Sequence, residues 1–487
     1  MHKLFYNTFL LSFNFQFNFT SNVEDISYMF AFSSIQHFTL SDLNLNKVKN
    51  MSHMFENCFS LTDIDLSNMK TNNIKDISYM FYSCESITSL DFTGFNTNQV
   101  IDMSHLFDNC ISLSNLKISN LITTNVIDMS YMFAGCHSLS SIDLSNFDTN
   151  NVKNISHMFQ LCNSLKSIDL NNFETKNVED TSGLFSSCRL LKRIDISNFN
   201  LINNKDMSDM FSYCQLLEQI SLGNIITNKV NNMSHLFDGC SSLNSIDLSN
   251  FNTENVLDMS FMFQDCILLK EIQISNFDTK KVQNMSNMFE SCKTVTSLDV
   301  SKFKTNEVKD MTKMFELCSE LTSLDVSKFD TSKVISMLDM FAELTKLVVL
   351  DVSNFKTNNL KDMAGMFYNC NKLKIIDLSG FNTANIEDFS YAFFGCGYIS
   401  DIDVSKFDTR KGNDMSFMFY GCRGLKSIEM SSFDTSLVTD MNYMFGGCAS
   451  LKTIEITNFD TGNVLSMSGM FSGCSCLKEI QLSNFNT

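Results

Sequence analysis

Residues 243–266 read Leu243-x-x-Ile246-Asp247-Leu248-Ser249-Asn250-Phe251-x-Thr253-x-x-Val256-x-Asp258-Met259-Ser260-x-Met262-Phe263-x-x-Cys266. The same pattern recurs every 26 residues with no insertion or deletion from Phe55 to Phe471, giving seventeen copies of the Phe263 position. Self-similarity at such a period is the mark of a solenoid, in which each copy adds one turn to a shared core. The Leu243, Ile246 and Leu248 positions are apolar in every copy, and the alternation Ile-Asp-Leu reads as a short strand, one per turn, paired in parallel with its neighbours.

The second half of the unit changes period. Val256, Met259, Met262, Phe263 and Cys266 sit at offsets 0, 3, 6, 7 and 10, which predicts one apolar face of a short helix or 3₁₀ segment. The residue before the first Met is Asp eleven times, Asn four times (Asn50, Asn154, Asn232, Asn284) and Ser twice (Ser336, Ser466). These are helix N-cap formers, each worth about 0.5–2 kcal/mol. The predicted fold class is therefore α/β, a leucine-rich-repeat-like solenoid with one short parallel strand and one short helix per 26-residue turn. Thr fills sixteen of seventeen positions from Thr71 to Thr487, Leu201 excepted, and is expected to bond neighbouring backbone at a turn.

Composition bounds the function. The 487 residues are 44% apolar, with neither proline nor tryptophan, and carry a net charge of −18. That charge argues against nucleic acid, where counterion release needs clustered Lys and Arg, and against electrostatic binding to anionic membranes. No apolar run reaches transmembrane length. Because the repeat runs end to end, one elongated domain is expected: residues 21–487 as a continuous array with the last repeat truncated, and residues 1–20 as a degenerate first turn or a cryptic signal segment. Leu10, Phe13 and Phe15 fit the Leu-Ile-Leu positions when counted back from Val23, which favours the degenerate turn.

The unit resembles the BspA-like leucine-rich repeats, the 26-residue repeat of bacterial and mycoplasma surface lipoproteins. The pattern that carries the resemblance is F-x-T-x-x-V-x-D-M-S-x-M-F-x-x-C-x-x-L, as at Phe251 through Leu269, and it covers nearly the whole chain. The resemblance implies a leucine-rich-repeat-like coil, surface display, and adhesion or partner binding. It supplies no catalytic residues. The first cysteine is Cys58, so no lipobox cysteine stands near Met1.

Sixteen of the seventeen cysteines fall in one column of period 26, broken only by Leu344, with Cys476 as the extra thiol. Stacked side chains on such a column point the same way into the core. A line of thiols cannot converge tetrahedrally on zinc, and core filler is the expected role. His53, His105, His157 and His235 share a column but stand at least two turns apart, too far to share a metal, and are read as surface-facing helix residues. The methionines are read as core packing, so no metal and no cofactor is expected.

The candidate binding surface is the acidic strand column: Asp65, Asp91, Asp143, Asp169, Asp195, Asp247, Asp299, Asp325, Asp351, Asp377 and Asp403, with Glu429 and Glu455. Unit charges about 4.8 Å apart repel by roughly 0.9 kcal/mol even in water. The column therefore reads as a solvated face partly neutralised by Lys three residues earlier (Lys166, Lys192, Lys374, Lys426), or as a seat for a cationic partner or a hard cation such as calcium. These carboxylates recur along the chain, whereas an active site is one unique spot, and no catalytic residue is assigned. The sequons at Asn50, Asn154, Asn232 and Asn284 are expected to be occupied as caps and little glycosylated.

The expected function is a non-enzymatic surface or secreted protein that mediates adhesion or protein binding through its strand-lined face, with a protein or cell-surface ligand as partner. An intracellular scaffold is the alternative. At the C-terminal edge Leu477, Ile480, Leu482 and Phe485 form a last rung with no following helix or polar cap in this sequence, as in a fragment of a longer protein or an end that docks against another chain, and self-association through that edge, or fraying there, is expected.

Overall fold

The computed structural model describes residues 1–14, 22–39, 45–66, 69, 71–482 and 485. They form two compact units, Met1–Leu243 and Asn244–Thr487. Each is a parallel-stranded solenoid.

In the first unit the strands are β1 (Ser12–Asn14), β2 (His37–Thr39), β3 (Asp63–Asp65), β4 (Ser89–Asp91), β5 (Asn115–Lys117), β6 (Arg193–Asp195) and β7 (Gln219–Ser221). Parallel registers place Phe13 beside Phe38 and Phe38 beside Ile64. Phe15 lies outside the described residues. In the second unit the strands are β8 (Ser245–Asp247), β9 (Glu271–Gln273), β10 (Ser297–Leu298), β11 (Ser323–Leu324), β12 (Val349–Leu350), β13 (Ile375–Ile376), β14 (Ser427–Glu429) and β15 (Thr453–Glu455). Partners stand one repeat apart, as in Ile246 beside Ile272 and Ile428 beside Ile454. Strands this short follow from the sequence, because only Ile-Asp-Leu alternates before the Ser-Asn turn begins.

The predicted helix does not form: among the described residues no segment is helical. The inward positions are nevertheless the expected ones, and Val256, Met259, Met262, Phe263 and Cys266 are all fully buried. What replaces the helix is a run of stacked four-residue turns. In one coil Met80 N–H donates to the Ile77 carbonyl (3.2 Å), Tyr82 to Tyr79 (3.1 Å) and Cys84 to Phe81 (3.0 Å). The alternate N–H groups leave the coil instead. Met51 donates to Asp76 of the next coil (2.9 Å), His53 to Ser78 (2.9 Å), Phe55 to Met80 (2.9 Å) and Asn57 to Tyr82 (2.7 Å). From Ile77 to Cys84 every N–H thus finds an acceptor without a helix, as a buried backbone requires. The turns that close at Met80 and Cys84 carry a left-handed residue at their third position, and such residues recur four apart: His53 and Asn57 (φ 59° and 57°), Tyr79 and Ser83 (56° and 54°).

The supposed N-cap column does a different job. Its residues form parallel bridges from coil to coil, as in Asn50 with Asp76 and Asp76 with Asp102, while their side chains staple the turn that follows. Asp76 Oδ1 accepts the Ser78 N–H (2.9 Å) and hydroxyl (2.7 Å), and Asn50 Oδ1 accepts the same pair from Ser52. Asp, Asn and Ser suit this local turn for the chemical reason that suits them to a cap.

Three further columns tie neighbouring coils together. The Phe rings stack nearly parallel, for example Phe133 on Phe159 and Phe289 on Phe315, with centroids 5.6 and 5.8 Å apart. The Thr hydroxyls reach the next coil rather than their own turn. Thr279 Oγ1 donates to the Lys304 carbonyl (2.9 Å) and accepts the Lys304 N–H (2.7 Å) while fully buried. The thiols also bridge coils: the Phe55 carbonyl accepts both Cys58 N–H (3.1 Å) and Cys84 S–H (3.2 Å). All seventeen cysteines are free, fifteen of them buried, with Cys474 half-buried and Cys476 exposed. Burial pushes inner thiols up, Cys58 to about 11 and Cys162 and Cys214 to about 12, so these stay protonated and weakly nucleophilic.

Candidate functional site: the strand-lined carboxylate face

The strand column presents its acidic residues as the alternation requires. Ile246 points inward with 5% exposure, and Asp247 next to it is exposed. Asp65, Asp91, Asp195 and Asp247 are the third residues of β3, β4, β6 and β8. Asp299, Asp325, Asp351 and Asp377 fall just past β10 to β13. Asp143, Asp169 and Asp403 hold the same register between strands. Asp91 is half-buried and the other ten are exposed.

The structure corrects the expected neutralisation by Lys166, Lys192, Lys374 and Lys426. Among the described residues one ion pair reaches this column, Lys117 Nζ to Asp91 Oδ2 at 3.1 Å. Lys192 turns instead toward Glu218, at 3.9 Å. The carboxylates are held by hydroxyl and backbone donors two residues on. Ser327 gives Asp325 Oδ1 its N–H (3.1 Å) and hydroxyl (2.6 Å), Ser353 does the same for Asp351 (3.0 and 2.7 Å), and Ser405 for Asp403 (3.0 and 2.6 Å). Asp169 accepts the Asn171 N–H, and Asp143, Asp195, Asp247 and Asp377 accept that of the Ser two residues on. These bonds favour the charged form. They hold Asp143, Asp195, Asp247, Asp299, Asp325, Asp377 and Asp403 below the usual carboxylate range, and Asp91, helped by Thr93 and Lys117, near 2.

The column is not uniform. Lys117 and Ser221 interrupt it in the first unit, and Gln273 in the second. From Asp299 the acids then run unbroken through seven copies to Glu455. Near the end of that run a shallow groove is lined by Asp401, Asp403, Glu429 and Glu455. Chemically this face offers ionised oxygens at regular spacing on a rigid backbone, which suits ammonium and guanidinium groups. Among the described residues no group of three or more His, Cys, Asp or Glu is arranged to hold a metal ion.

Sequence reading missed a second ordered surface. His53, His105 and His157 are not helix residues on an open face. They alternate with Tyr28, Tyr79 and Tyr131 in a stack of six rings with centroids 4.1–4.5 Å apart. His53 Nδ1 lies 2.9 Å from Glu56 and His105 Nδ1 lies 2.7 Å from Asp108. Every ring in the stack sits on a left-handed backbone position. Holding a bulky residue there costs about 1–3 kcal/mol, and two stacking contacts at about 0.5–1.5 kcal/mol each offset it. At Gly183 (φ 59°) the stack ends, since a Cβ there would lie 2.1 Å from His157 Nδ1. The signal was present in the Tyr of the intervening copies.

No helix among the described residues is long and apolar enough to cross a membrane. Solved structures of similar fold include a leucine-rich repeat protein from Bacteroides ovatus, at 17% identity over 81% of this chain and 78% of that one, with a TM-score of 0.36. A leucine rich cell surface protein from Faecalibacterium prausnitzii matches at 16% identity over 79% and 83%, with a TM-score of 0.29. A leucine-rich repeat protein from Eubacterium ventriosum matches at 17% over 61% and 63%, with a TM-score of 0.33. Among curated proteins none matches. The family described as "Mycoplasma protein of unknown function, DUF285" matches residues 1–115, 85–194, 180–298, 284–402 and 387–487. Those matches span the whole chain, and with its 26-residue BspA-like leucine-rich repeat the protein belongs to that family.

Proposed function

We infer that the chain is a non-enzymatic binding protein that engages a protein partner along its strand-lined face, and that it does so at the cell surface or after secretion. The observation that carries the reading is the unbroken run of acids from Asp299 to Glu455, exposed and bonded within their own turns. The coil backbone is consumed by coil-to-coil bonds, so recognition falls to side chains, and this row presents the same charge many times over. Surface display and adhesion rest on the BspA-like resemblance. The reading of residues 1–20 as a degenerate first turn is supported, within the described residues 1–14, by Phe5 stacked on Phe30 at 5.3 Å and by the pairing of β1 with β2.

Two measurements test the reading. Antibody labelling of intact against permeabilised cells should detect the chain on intact cells, and labelling only after permeabilisation would refute surface display. Crosslinking of the purified chain to cell-surface proteins should yield a discrete product that the triple substitution Asp325→Asn, Asp351→Asn, Asp377→Asn abolishes. A product unchanged by it would move the binding surface elsewhere.

A further inference from the structure

In a molecule whose surface repeats, a place where the repeat is broken outward marks a unique site. The first position of the strand column carries Ser297 and Ser323 in β10 and β11, then Val349 and Ile375 in β12 and β13, then Asp401. Val349 and Ile375 are register partners, side by side on the same face, and they are 59% and 66% exposed. Val348 beside them is 39% exposed, and its carbonyl accepts the Lys374 N–H of the next coil (3.0 Å). Three aliphatic side chains thus form a contiguous apolar step two coils wide, about 10 Å. The strand positions of this step hold no inward role, since Leu350 and Ile376 fill the core between them.

Along one side of the step run Asp325, Asp351, Asp377 and Asp403, all exposed, with Asp401 at its far end. Among the described residues no lysine or arginine lies within ion-pair distance of these four carboxylates of the row. Like charges in a row repel one another until a cation lies between them, and the apolar step gains by being covered.

We propose that the apolar step of Val348, Val349 and Ile375, with the carboxylates of Asp325, Asp351, Asp377 and Asp403 beside it, is the docking site for an extended basic protein segment. Such a segment places a bulky aliphatic or aromatic side chain on Val349 and Ile375 and its lysines or arginines over the acidic row. In an extended strand alternate side chains face the same way, so apolar and basic residues two apart meet the two columns together. The inference rests on the reading of the strand face as the binding surface and names the centre of that surface and the chemistry of its partner.

The test uses the full chain and fluorescence anisotropy with a labelled synthetic peptide of alternating lysine and leucine, alongside one in which serine replaces leucine. The leucine peptide should bind more tightly than the serine peptide and weaken as salt rises. Val349→Ser with Ile375→Ser should cost about tenfold in affinity, as should Asp351→Asn with Asp377→Asn. The pair Asp143→Asn and Asp169→Asn, far along the sequence on the same column, should weaken binding less than the Asp351/Asp377 pair does. Serine already stands at positions 297 and 323, so the fold should survive, and circular dichroism verifies it for each variant. If the Val349/Ile375 pair has no effect while both acidic pairs weaken binding equally, the apolar centre is refuted and the strand face survives as a general cation-binding surface. If no strand-face substitution changes binding, both the centre and the strand-face reading fall. If neither peptide binds, the basic partner is refuted, and the crosslinking experiment decides the strand face separately.

Discussion

Aspartates on the two sides of a coil accept the same bond and respond to it in opposite directions. Asp325, on the strand face, takes the N–H and hydroxyl of Ser327, and its carboxyl is held low. Asp102, in the bridge column, takes the N–H (2.9 Å) and hydroxyl (2.7 Å) of Ser104, and its carboxyl is pushed up. Burial is the difference: it is the largest influence on Asp102 and outweighs the two bonds, with Asp76 and Asp128 on adjacent coils adding to it. The same holds on the turn side for Asp108, Asp209, Glu290 and Asp362, and for Asp339, which burial and Glu316 raise to about 6. One local motif, repeated for assembly, yields a face that is charged for partners and a side that resists its own charge.

The largest contrast lies in what the two sides contribute to stability. Phe315→Ala on the turn side should cost about 3–5 kcal/mol, because a fully buried ring stacked on both neighbours leaves a cavity. In a solenoid the loss is local, so hydrogen exchange should quicken first in the coil of Phe315 and those beside it. Equal quickening throughout the unit would contradict nearest-neighbour coupling. Thr279→Val should come next, at about 1–3 kcal/mol, since it leaves the N–H and C=O of Lys304 without the buried hydroxyl that bridges them. Thr279→Ser should recover most of that in urea titrations, and a valine variant as stable as the parent would mean that the bridge is dispensable.

The contrast also sets a pH dependence. A carboxyl with a lowered value in the fold binds its proton less tightly than in the unfolded chain, so its contribution is present above the ordinary value near 3.8 and is lost as pH falls toward the folded value, about 2 for Asp91. A raised carboxyl works the other way. It costs nothing while protonated, and stability falls as pH rises from the ordinary value through the folded one, about 6 for Asp339. Both sets therefore point to greatest stability near pH 4, and the net charge of −18 acts in the same sense above it. Urea midpoints measured from pH 3 to pH 8 should peak in that acidic range, and a peak at pH 7 or above would show that the buried carboxyls are not raised.

The periodicity of Val256, Met259, Met262, Phe263 and Cys266 reveals which side chains face inward, because burial depends on spacing alone. It does not reveal where the N–H groups point. Eleven residues are too few to separate four-residue turns from a helical period of 3.6, and Asp or Asn before the first Met serves either structure. One signal did distinguish them. Glycine directly precedes cysteine at 135, 239, 395, 421, 447 and 473, each with positive φ, and a helix interior has no use for it. On the strand face the positions of the acids were legible, but their partners were sought among Lys rather than in Ser249 and its equivalents two residues on. Nor does the apolar step stand out in sequence, since Val349 and Ile375 look like core until the register turns them outward.

The smallest effect tests the comparison most directly, because it changes one atom. Asp362→Asn keeps the oxygen that accepts the Ala364 N–H (2.9 Å) and removes a charge that burial and Asp388 both oppose. Asparagine already stands in this bridge column at 50, 154, 232 and 284, where Asn50 holds Ser52 as Asp76 holds Ser78. The substitution should therefore stabilise the second unit at pH 7, by about 0.5–1 kcal/mol. The gain should fade as pH falls below the raised value, where the native Asp362 is already protonated. On the strand face asparagine stands at the equivalent register position in β1, at Asn14, but at none of the copies from Asp65 to Gln481. There Asp325→Asn also keeps its acceptor, but it removes a charge that water and Ser327 stabilise, so the change should stay within about 0.5 kcal/mol and lean toward destabilising. Urea titrations of the two variants at pH 7 and pH 3.5 separate the outcomes. If both substitutions shift stability in the same direction at pH 7, the two sides of the coil do not differ in how they bear charge.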